Sequence, residues 1–183
     1  KVGEDSVLDI KVLPNRAHDC LSHRGIAREV AAILRREVRP PSDSEVGPRS
    51  GGNFQSEGYI QLKIESPLVR RAMKRIVRNV KIGPSPEWVV RRLATMGQKS
   101  INNLVDATNY VTLEMGAPVH AFDYDLLSGT APKEVSIRPA KPGEKLTTLD
   151  GIEHVLDPSM LVIADKREAL DVAGVKGGLK SGI

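Results

Sequence analysis

The sequence has 183 residues, of which 40% are hydrophobic, 27% are charged and only 3% are aromatic, proportions typical of a globular protein with an aliphatic core. No apolar run is long enough to span a membrane, no signal peptide is recognisable, and the net charge of +4 permits contact with nucleic acid without indicating it. The single cysteine, Cys20, excludes an intramolecular disulfide and a cysteine zinc site, so we expect a cytoplasmic protein.

Residues 1–38 are predicted to be the end of one domain, a small helical segment. Alternating apolar and polar residues at 7–12 predict a short strand. Ser22 is a good N-cap for a helix that runs to about Arg36 with an apolar stripe on one face. Residues 39–57 are rich in Pro, Gly and Ser, which predicts a mobile linker. The chain lacks an initiator Met, and we expect both of its ends to be cuts through a longer protein.

Residues 58–183 are predicted to form one α+β domain, in which two helices pack on a mixed or antiparallel sheet rich in hairpins. The first helix is expected at 85–97, where Ser, Pro and Glu stand at its start, and the second at 100–116. A glycine ends each helix. The side chains expected to be buried include Trp88, Leu93 and Met96 in the first helix and Ile101 in the second.

The rest of this domain is predicted to be mainly strands. Asp150-Gly151 is a strong hairpin-turn dipeptide between two of them. Residues 70–82 are ambiguous, because their cations would line one face of a helix whereas their β-branched residues favour a strand. The predicted strands are 59–64, 135–138, 145–149, 152–156, 161–164 and 170–175.

Several motifs with possible chemistry are not supported by their spacing. The glycine-rich stretch 174–181 resembles a phosphate-binding P-loop, but Leu179 stands where that loop requires a glycine, so a turn at which two backbones pack closely is favoured. Cys20 is more consistent with a small residue at a turn than with a nucleophile. The four histidines are not at metal-ligand spacing, and we predict no metal site. They are His18, His23, His120 and His154.

A longer pattern covers nearly all of the chain outside the linker. Its central part is INNLVDATNYV at 101–111 followed by LEMGAPVHAFD at 113–123. Supporting pieces stand in the same order along the chain: PNR at 14–16, HDCLS at 18–22, GIARE at 25–29, VKIGPSPEW at 80–88, LDG at 149–151, AGV at 173–175 and GG at 177–178. Together these pieces resemble the beta subunit of bacterial phenylalanyl-tRNA synthetase, from the end of its N-terminal domain through most of its editing domain. Residues 70–75 depart from the family pattern.

The resemblance implies a part of an aminoacyl-tRNA synthetase that charges tRNA with Phe, using ATP and Mg at an active site on the alpha subunit. No cofactor is expected in this chain. The implied partners are the Phe tRNA and the alpha subunit, in an alpha2-beta2 heterotetramer, with no membrane and no DNA. The beta subunit of this family hydrolyses Tyr wrongly attached to that tRNA. A hydrophobic synthetic pocket cannot strongly reject an added hydroxyl, whereas a second pocket that binds the phenol hydroxyl rejects Phe.

The resemblance also implies site residues. Thr108 and His120 match polar positions of the editing pocket, and Gly174 matches a backbone contact. From the residues alone, the favoured interpretation is that Thr108 bonds its own helix and that His120 is a histidine hydrogen-bonded at a loop. The family's acid for the tyrosine hydroxyl is expected just beyond Gly178, outside this chain, so the isolated chain is expected to be inactive.

An alternative remains open, in which the chain is a non-catalytic module that docks tRNA or braces the subunit assembly. The basic stretch that includes Arg70, Arg71, Lys74 and Arg75 would suit this alternative, and we predict that these four residues contact tRNA.

Overall fold

The computed structural model describes residues 6–39, 58–180 and 182–183. Within these ranges the chain forms four α helices, a five-stranded mixed sheet and a two-stranded antiparallel sheet. The predicted α+β class is therefore confirmed. Contacts between residues group the chain into two units, the first made of Lys1–Gly51 with Lys81–Val119 and the second of Gly52–Val80 with His120–Ile183.

This grouping differs from the predicted boundaries. The two helices predicted at 85–97 and 100–116 belong to the first unit, together with the N-terminal segment, whereas every described strand belongs to the second unit. The division at residues 38 and 57, and the packing of the helices on the sheet, stay predictions. The predicted linker at 39–57 lies almost entirely outside the described residues.

The first unit begins with a 3-10 helix at Pro14–Arg16, which leads into helices α1 (Ala17–Cys20) and α2 (His23–Leu34). Ser22 caps α2 as predicted, because its Oγ accepts a hydrogen bond of 3.0 Å from the backbone N–H of Gly25. A Cβ at Gly25 would lie 1.8 Å from the carbonyl oxygen of Asp19, so only glycine lets α1 and α2 approach this closely.

Helices α3 (Glu87–Thr95) and α4 (Asn103–Met115) complete the described part of the first unit. Asn102 caps α4 by accepting hydrogen bonds from the N–H groups of the two residues Leu104 and Val105, and Gly116 ends the helix in the left-handed region. None of the described helices is long and apolar enough to cross a membrane.

The apolar faces of these helices differ in part from the prediction. Leu93 is buried as expected, together with Val89. Trp88 is 50% exposed and Met96 43% exposed, because the buried stripe of α3 runs through Val89 and Leu93 instead. Ile101 is 67% exposed, since it precedes the helix rather than lying on its buried face.

Asp106 is the buried centre of the connection between α3 and α4. Its carboxylate accepts hydrogen bonds from Ser85 Oγ, from Ser100 Oγ at 2.6 Å and from the backbone N–H of Ile101 at 2.9 Å. Burial alone would raise the pKa of Asp106, but these three hydrogen bonds outweigh it and hold the pKa below its ordinary value. The carboxylate therefore fixes the segments that lead into both helices.

The second unit is built on a sheet of five strands in the order β1-β2-β5-β6-β7. Strand β1 runs parallel to β2, and the other neighbouring strands are antiparallel. Strands β3 and β4 form the predicted hairpin around Asp150-Gly151, where Gly151 has a φ of +79°. The strands are β1 (Ile60–Ile64), β2 (Lys133–Pro139), β3 (Lys145–Thr147), β4 (Glu153–Val155), β5 (Leu161–Ala164), β6 (Ala169–Val172) and β7 (Lys176–Gly177).

Two apolar clusters cover the sheet of the second unit. One joins the hairpin to β5 and β6, with Leu146, Leu156 and Val162 among its buried members. The other joins Leu127 and Leu170 to partly buried residues of β1. Leu, Val and Ala supply most of this core, so the aliphatic core predicted from the composition is present.

Two expectations fail for a common physical reason. The strand predicted at 7–12 is absent, and residues 70–82 contain neither a helix nor a strand. Val7 and Leu8 are 46% and 80% exposed. Alternating polarity predicts a strand only where a neighbouring strand is available to pair with it.

Candidate functional site

His120 and Asp171 form a pair of ionisable side chains in the second unit, in which Asp171 is buried and His120 is partly buried. Nδ1 of the imidazole lies 3.9 Å from Oδ2 of the carboxyl group, and the side chains are 26% and 6% exposed. This distance is too long for a hydrogen bond. The two groups face each other without bonding.

The sheet determines where the carboxyl group lies. Asp171 is in the interior of β6, paired in register with Ile163 on β5 and with Gly177 on β7. Backbone pairing on both sides fixes the Cα of Asp171, and neither neighbour offers a polar side chain to it.

Gly177 makes room for the imidazole. A Cβ at this position would lie 2.4 Å from Cε1 of His120, a separation that real Cβ atoms do not show. Phe122 packs edge-on against the same ring, with the two centroids 4.7 Å apart. The close packing of backbones expected in this glycine-rich stretch is present at the next residue, because a Cβ at Gly178 would lie 2.3 Å from the carbonyl oxygen of Leu170.

Burial determines the charge of the pair. It raises the pKa of Asp171 to about 7 and lowers the pKa of His120. Both shifts favour the neutral form of each group. The pair is therefore a neutral imidazole beside a carboxyl group that gains or loses its proton near neutral pH.

Each side chain also has a polar atom without a partner. Nε2 of His120 and Oδ1 of Asp171 are buried and accept or donate no hydrogen bond within the described residues. Buried polar atoms are almost always paired in folded proteins, and a perturbed pKa beside an unpaired atom is typical of a functional site. The pair is our candidate site.

The other two predicted pocket residues have ordinary local roles. Thr108 lies on α4 in the first unit, where its Oγ1 donates a hydrogen bond of 2.7 Å to the carbonyl oxygen of Val105. Gly174 has a φ of +72° in the turn between β6 and β7 of the second unit. That Thr108, His120 and Gly174 line one pocket stays a prediction.

The predicted RNA contacts lie in the irregular segment that follows β1. Arg70, Arg71 and Arg75 are exposed, and the sequence contains no acidic residue between positions 66 and 86. Lys74 is half-buried and donates a hydrogen bond from its Nζ to the carbonyl oxygen of Ile60. We call the three exposed arginines the arginine strip.

Two further features have some of the properties of a site. A cavity of about 230 Å³ lies beside the hairpin, and the lysines in its wall are paired, Lys145 with Glu153 at 2.7 Å and Lys180 with Glu168 at 3.0 Å. Among the described residues, one group could in principle hold a metal ion, and Arg16 donates hydrogen bonds to both of its carboxylates. The group is Asp19, Cys20 and Glu29.

Sequence reasoning identified His120 but missed Asp171. The stretch 170–175 was predicted as a strand on its apolar residues alone. An acid in the interior of such a strand is costly to bury, and this was the signal available.

Comparison with known proteins places the chain among its relatives. The sequence pattern of the B3/4 domain family matches residues 68–183. A phenylalanine–tRNA ligase beta subunit of Anaeromyxobacter dehalogenans is 48% identical over 96% of the chain, and those of Moorella thermoacetica and Geobacillus kaustophilus are 49% and 47% identical over 96% and 97%. The chain spans 21% of the length of each of these relatives.

Proposed function

Because the chain belongs to the B3/4 domain family, we propose that it acts within a phenylalanine–tRNA ligase beta subunit as the region that hydrolyses Tyr mischarged on the Phe tRNA. The similarity to such subunits over nearly the whole chain supports the assignment to the ligase. The editing reaction is the finer part of the proposal. It rests on the candidate site.

The observation that carries the proposal is the unpaired Nε2 of His120. Hydrolysis of an aminoacyl ester needs a group that orients water or the terminal ribose and that exchanges a proton with them. A neutral imidazole with a ring nitrogen unused by the protein meets this need once substrate binding exposes that nitrogen, which is buried in this structure. The lowered pKa of His120 keeps the imidazole neutral at physiological pH.

Specificity for Tyr requires the pocket to bind the phenol hydroxyl. A pocket of this kind leaves buried polar groups unpaired when Phe enters, and that penalty protects correctly charged tRNA. In this proposal Gly174 contributes to the pocket alongside His120, as the resemblance implies. The catalysed charging reaction, with ATP and Mg, takes place on the alpha subunit of an alpha2-beta2 enzyme in the cytoplasm.

The arginine strip supports contact with RNA. Arg70, Arg71 and Arg75 are exposed and have no acid nearby in the sequence, so their charges are available to phosphates. Lys74 is a weaker candidate for RNA contact than the sequence suggested, because its ammonium group already donates a hydrogen bond to the carbonyl oxygen of Ile60. The same strip favours the second candidate function, a module that docks tRNA or braces the subunits without catalysis.

Replacing His120 distinguishes the two functions. In the complete beta subunit with its alpha partner, His120→Ala is expected to slow deacylation of preformed Tyr-tRNA by about 10²-fold, the usual contribution of a general acid or base. Charging with Phe should change little, since it uses a separate site. His154→Ala, which removes an exposed histidine on β4, is the matched control and should leave both reactions unchanged. Unchanged deacylation in His120→Ala would favour the docking module.

A further inference from the structure

We propose that Asp171 is a positioning residue for His120, a carboxyl group that selects which imidazole nitrogen carries the proton and so decides whether Nε2 accepts or donates a hydrogen bond. The assignment of the pair rests on its geometry, whereas the reaction it would serve rests on the function proposed above.

The geometry leaves few other partners for the imidazole. Asp171 is held by strand pairing on both sides, and its cross-strand neighbours Ile163 and Gly177 have no titratable group. The imidazole is held between Gly177 and Phe122. Among the described residues, Asp171 is the acid that faces His120, and its Oδ2 lies 3.9 Å from Nδ1 of the imidazole.

The protonation of Asp171 decides the tautomer of His120. An ionised carboxylate only accepts hydrogen bonds, so it favours a proton on Nδ1 and leaves a lone pair on Nε2. A protonated carboxyl can donate to Nδ1, which places the ring proton on Nε2 instead. Either bond requires the two groups to approach from 3.9 Å to about 2.8 Å, a movement of roughly 1 Å.

Only one of these tautomers can start ester hydrolysis. With the lone pair on Nε2, the water oxygen bonds to the ester carbonyl carbon while one water proton passes to Nε2. The bond from that carbon to the ribose oxygen then breaks, and the imidazolium returns the proton to the ribose oxygen. Tyrosine and tRNA with a free hydroxyl leave, the imidazole is neutral again, and the carboxylate has stabilised the imidazolium between the two steps.

Because Asp171 is buried, its selection of the His120 tautomer takes place near neutral pH. Because the pKa of Asp171 is raised to about 7, both forms of the carboxyl are populated near pH 7. His120 is the titratable group that faces it, and the pKa of His120 is lowered, so the carboxyl and not the imidazole changes charge in this range. Deacylation should therefore rise with pH and level off above the transition.

The first test is the pH profile of Tyr-tRNA deacylation by the complete enzyme, corrected for spontaneous hydrolysis of the ester. The wild-type rate is expected to rise by roughly tenfold per pH unit below the transition and to become constant above it. Asp171→Asn should lose the transition and be slower by on the order of 10²-fold at pH above about 8. Asp157→Asn, at an exposed turn, is the control and should follow the wild-type profile.

The second test reads the tautomer directly and does not depend on activity. Nitrogen NMR of the histidine-labelled 183-residue chain, with His120→Gln to assign the signal, should show the ring proton on Nε2 just below the transition near pH 7 and on Nδ1 above it. Asp171→Asn should abolish this exchange. A merely structural role for Asp171 would leave the tautomer unchanged with pH.

The outcomes separate this inference from the proposed function. If His120→Ala removes deacylation but Asp171→Asn follows the wild-type profile, the inference is wrong and the editing function stands. If His120→Ala leaves deacylation intact, the editing function fails and the NMR measurement alone decides the inference. A single tautomer of His120 across the pH range overturns the inference in either case.

Discussion

At the scale of single residues, burying Asp171 should reduce stability at neutral pH. An unfolded Asp has a pKa of about 3.9, and burial raises the pKa of Asp171 in the folded chain to about 7. The folded state therefore holds the proton more tightly, and its advantage is complete below the unfolded pKa and lost as the pH rises through the folded one. The full pKa shift sets an upper limit of roughly 4 kcal/mol on the free energy of unfolding that is lost in this way.

Asp171→Asn should consequently make the chain more stable than wild type at about pH 8 and remove this loss of stability between about pH 4 and 7. The measurement is the free energy of urea unfolding of both proteins across that range. The difference between the two proteins is the relevant quantity, because other acids contribute their own pH dependence. A difference that does not vary with pH would show that Asp171 is ionised normally in the folded state.

Gly177 gives a second prediction at this scale. The Cβ of Gly177→Ala would collide with Cε1 of His120, so the imidazole must move. We expect a loss of stability of roughly 1–3 kcal/mol and a fall in Tyr-tRNA deacylation of about 10²-fold from the misplaced ring. Gly83→Ala is the matched control, since a Cβ there meets nothing within 4 Å. Equal deacylation by the two alanine variants would argue against a role for the position of His120.

At the scale of secondary-structure elements, Asp106 should be important for the connection between α3 and α4. Asp106→Ala would leave the hydroxyl groups of Ser85 and Ser100 and the N–H of Ile101 without their acceptor. The expected cost is on the order of 3 kcal/mol in the free energy of unfolding, measured at neutral pH.

The pH dependence of that cost has a definite sign. Because hydrogen bonds lower the pKa of Asp106, its contribution is present above the unfolded pKa and is lost as the pH falls through the folded one. The destabilisation caused by Asp106→Ala should therefore shrink in acid. A cost that stays constant down to low pH would indicate that the carboxylate does not supply the stabilisation.

The elements were predicted from sequence most accurately where their signals are local. Ser22, the hairpin turn Asp150-Gly151 and the C-terminal glycine Gly116 act within a few residues, and each is found where predicted. The strand expected at 7–12 fails because pairing depends on residues far away in the chain. On α3, Val89 is buried and the predicted Trp88 is exposed for the same reason.

At the scale of the whole molecule, the candidate site was predicted only in part. The resemblance to a family led to His120, whereas Asp171 becomes apparent only when β6 and β7 bring it beside the imidazole. No local sequence pattern predicts that Asp171 lies close to His120. That Thr108 belongs to an editing pocket stays a prediction. In the structure its hydroxyl bonds to its own helix within the first unit.

The arginine strip predicts how the molecule responds to salt. Replacing Arg70, Arg71 and Arg75 together with Gln should weaken tRNA binding and lower the slope of log affinity against log salt by roughly 2 to 3. A control with the same change of charge replaces the exposed cations Arg28, Arg91 and Lys99 of the first unit. Equal slopes for the two triple variants would mean that the effect comes from net charge and not from the strip.

In the proposed function, this region hydrolyses Tyr, and not Phe, from the Phe tRNA. The most direct test of this function compares deacylation of purified Tyr-tRNA and Phe-tRNA by the complete enzyme under identical conditions, with His120→Ala measured beside the wild type. We expect the wild type to hydrolyse the Tyr ester at least about 10²-fold faster than the Phe ester, and we expect His120→Ala to remove most of this difference. Equal rates for the two esters in the wild type, or an unchanged ratio in His120→Ala, would contradict the proposed function.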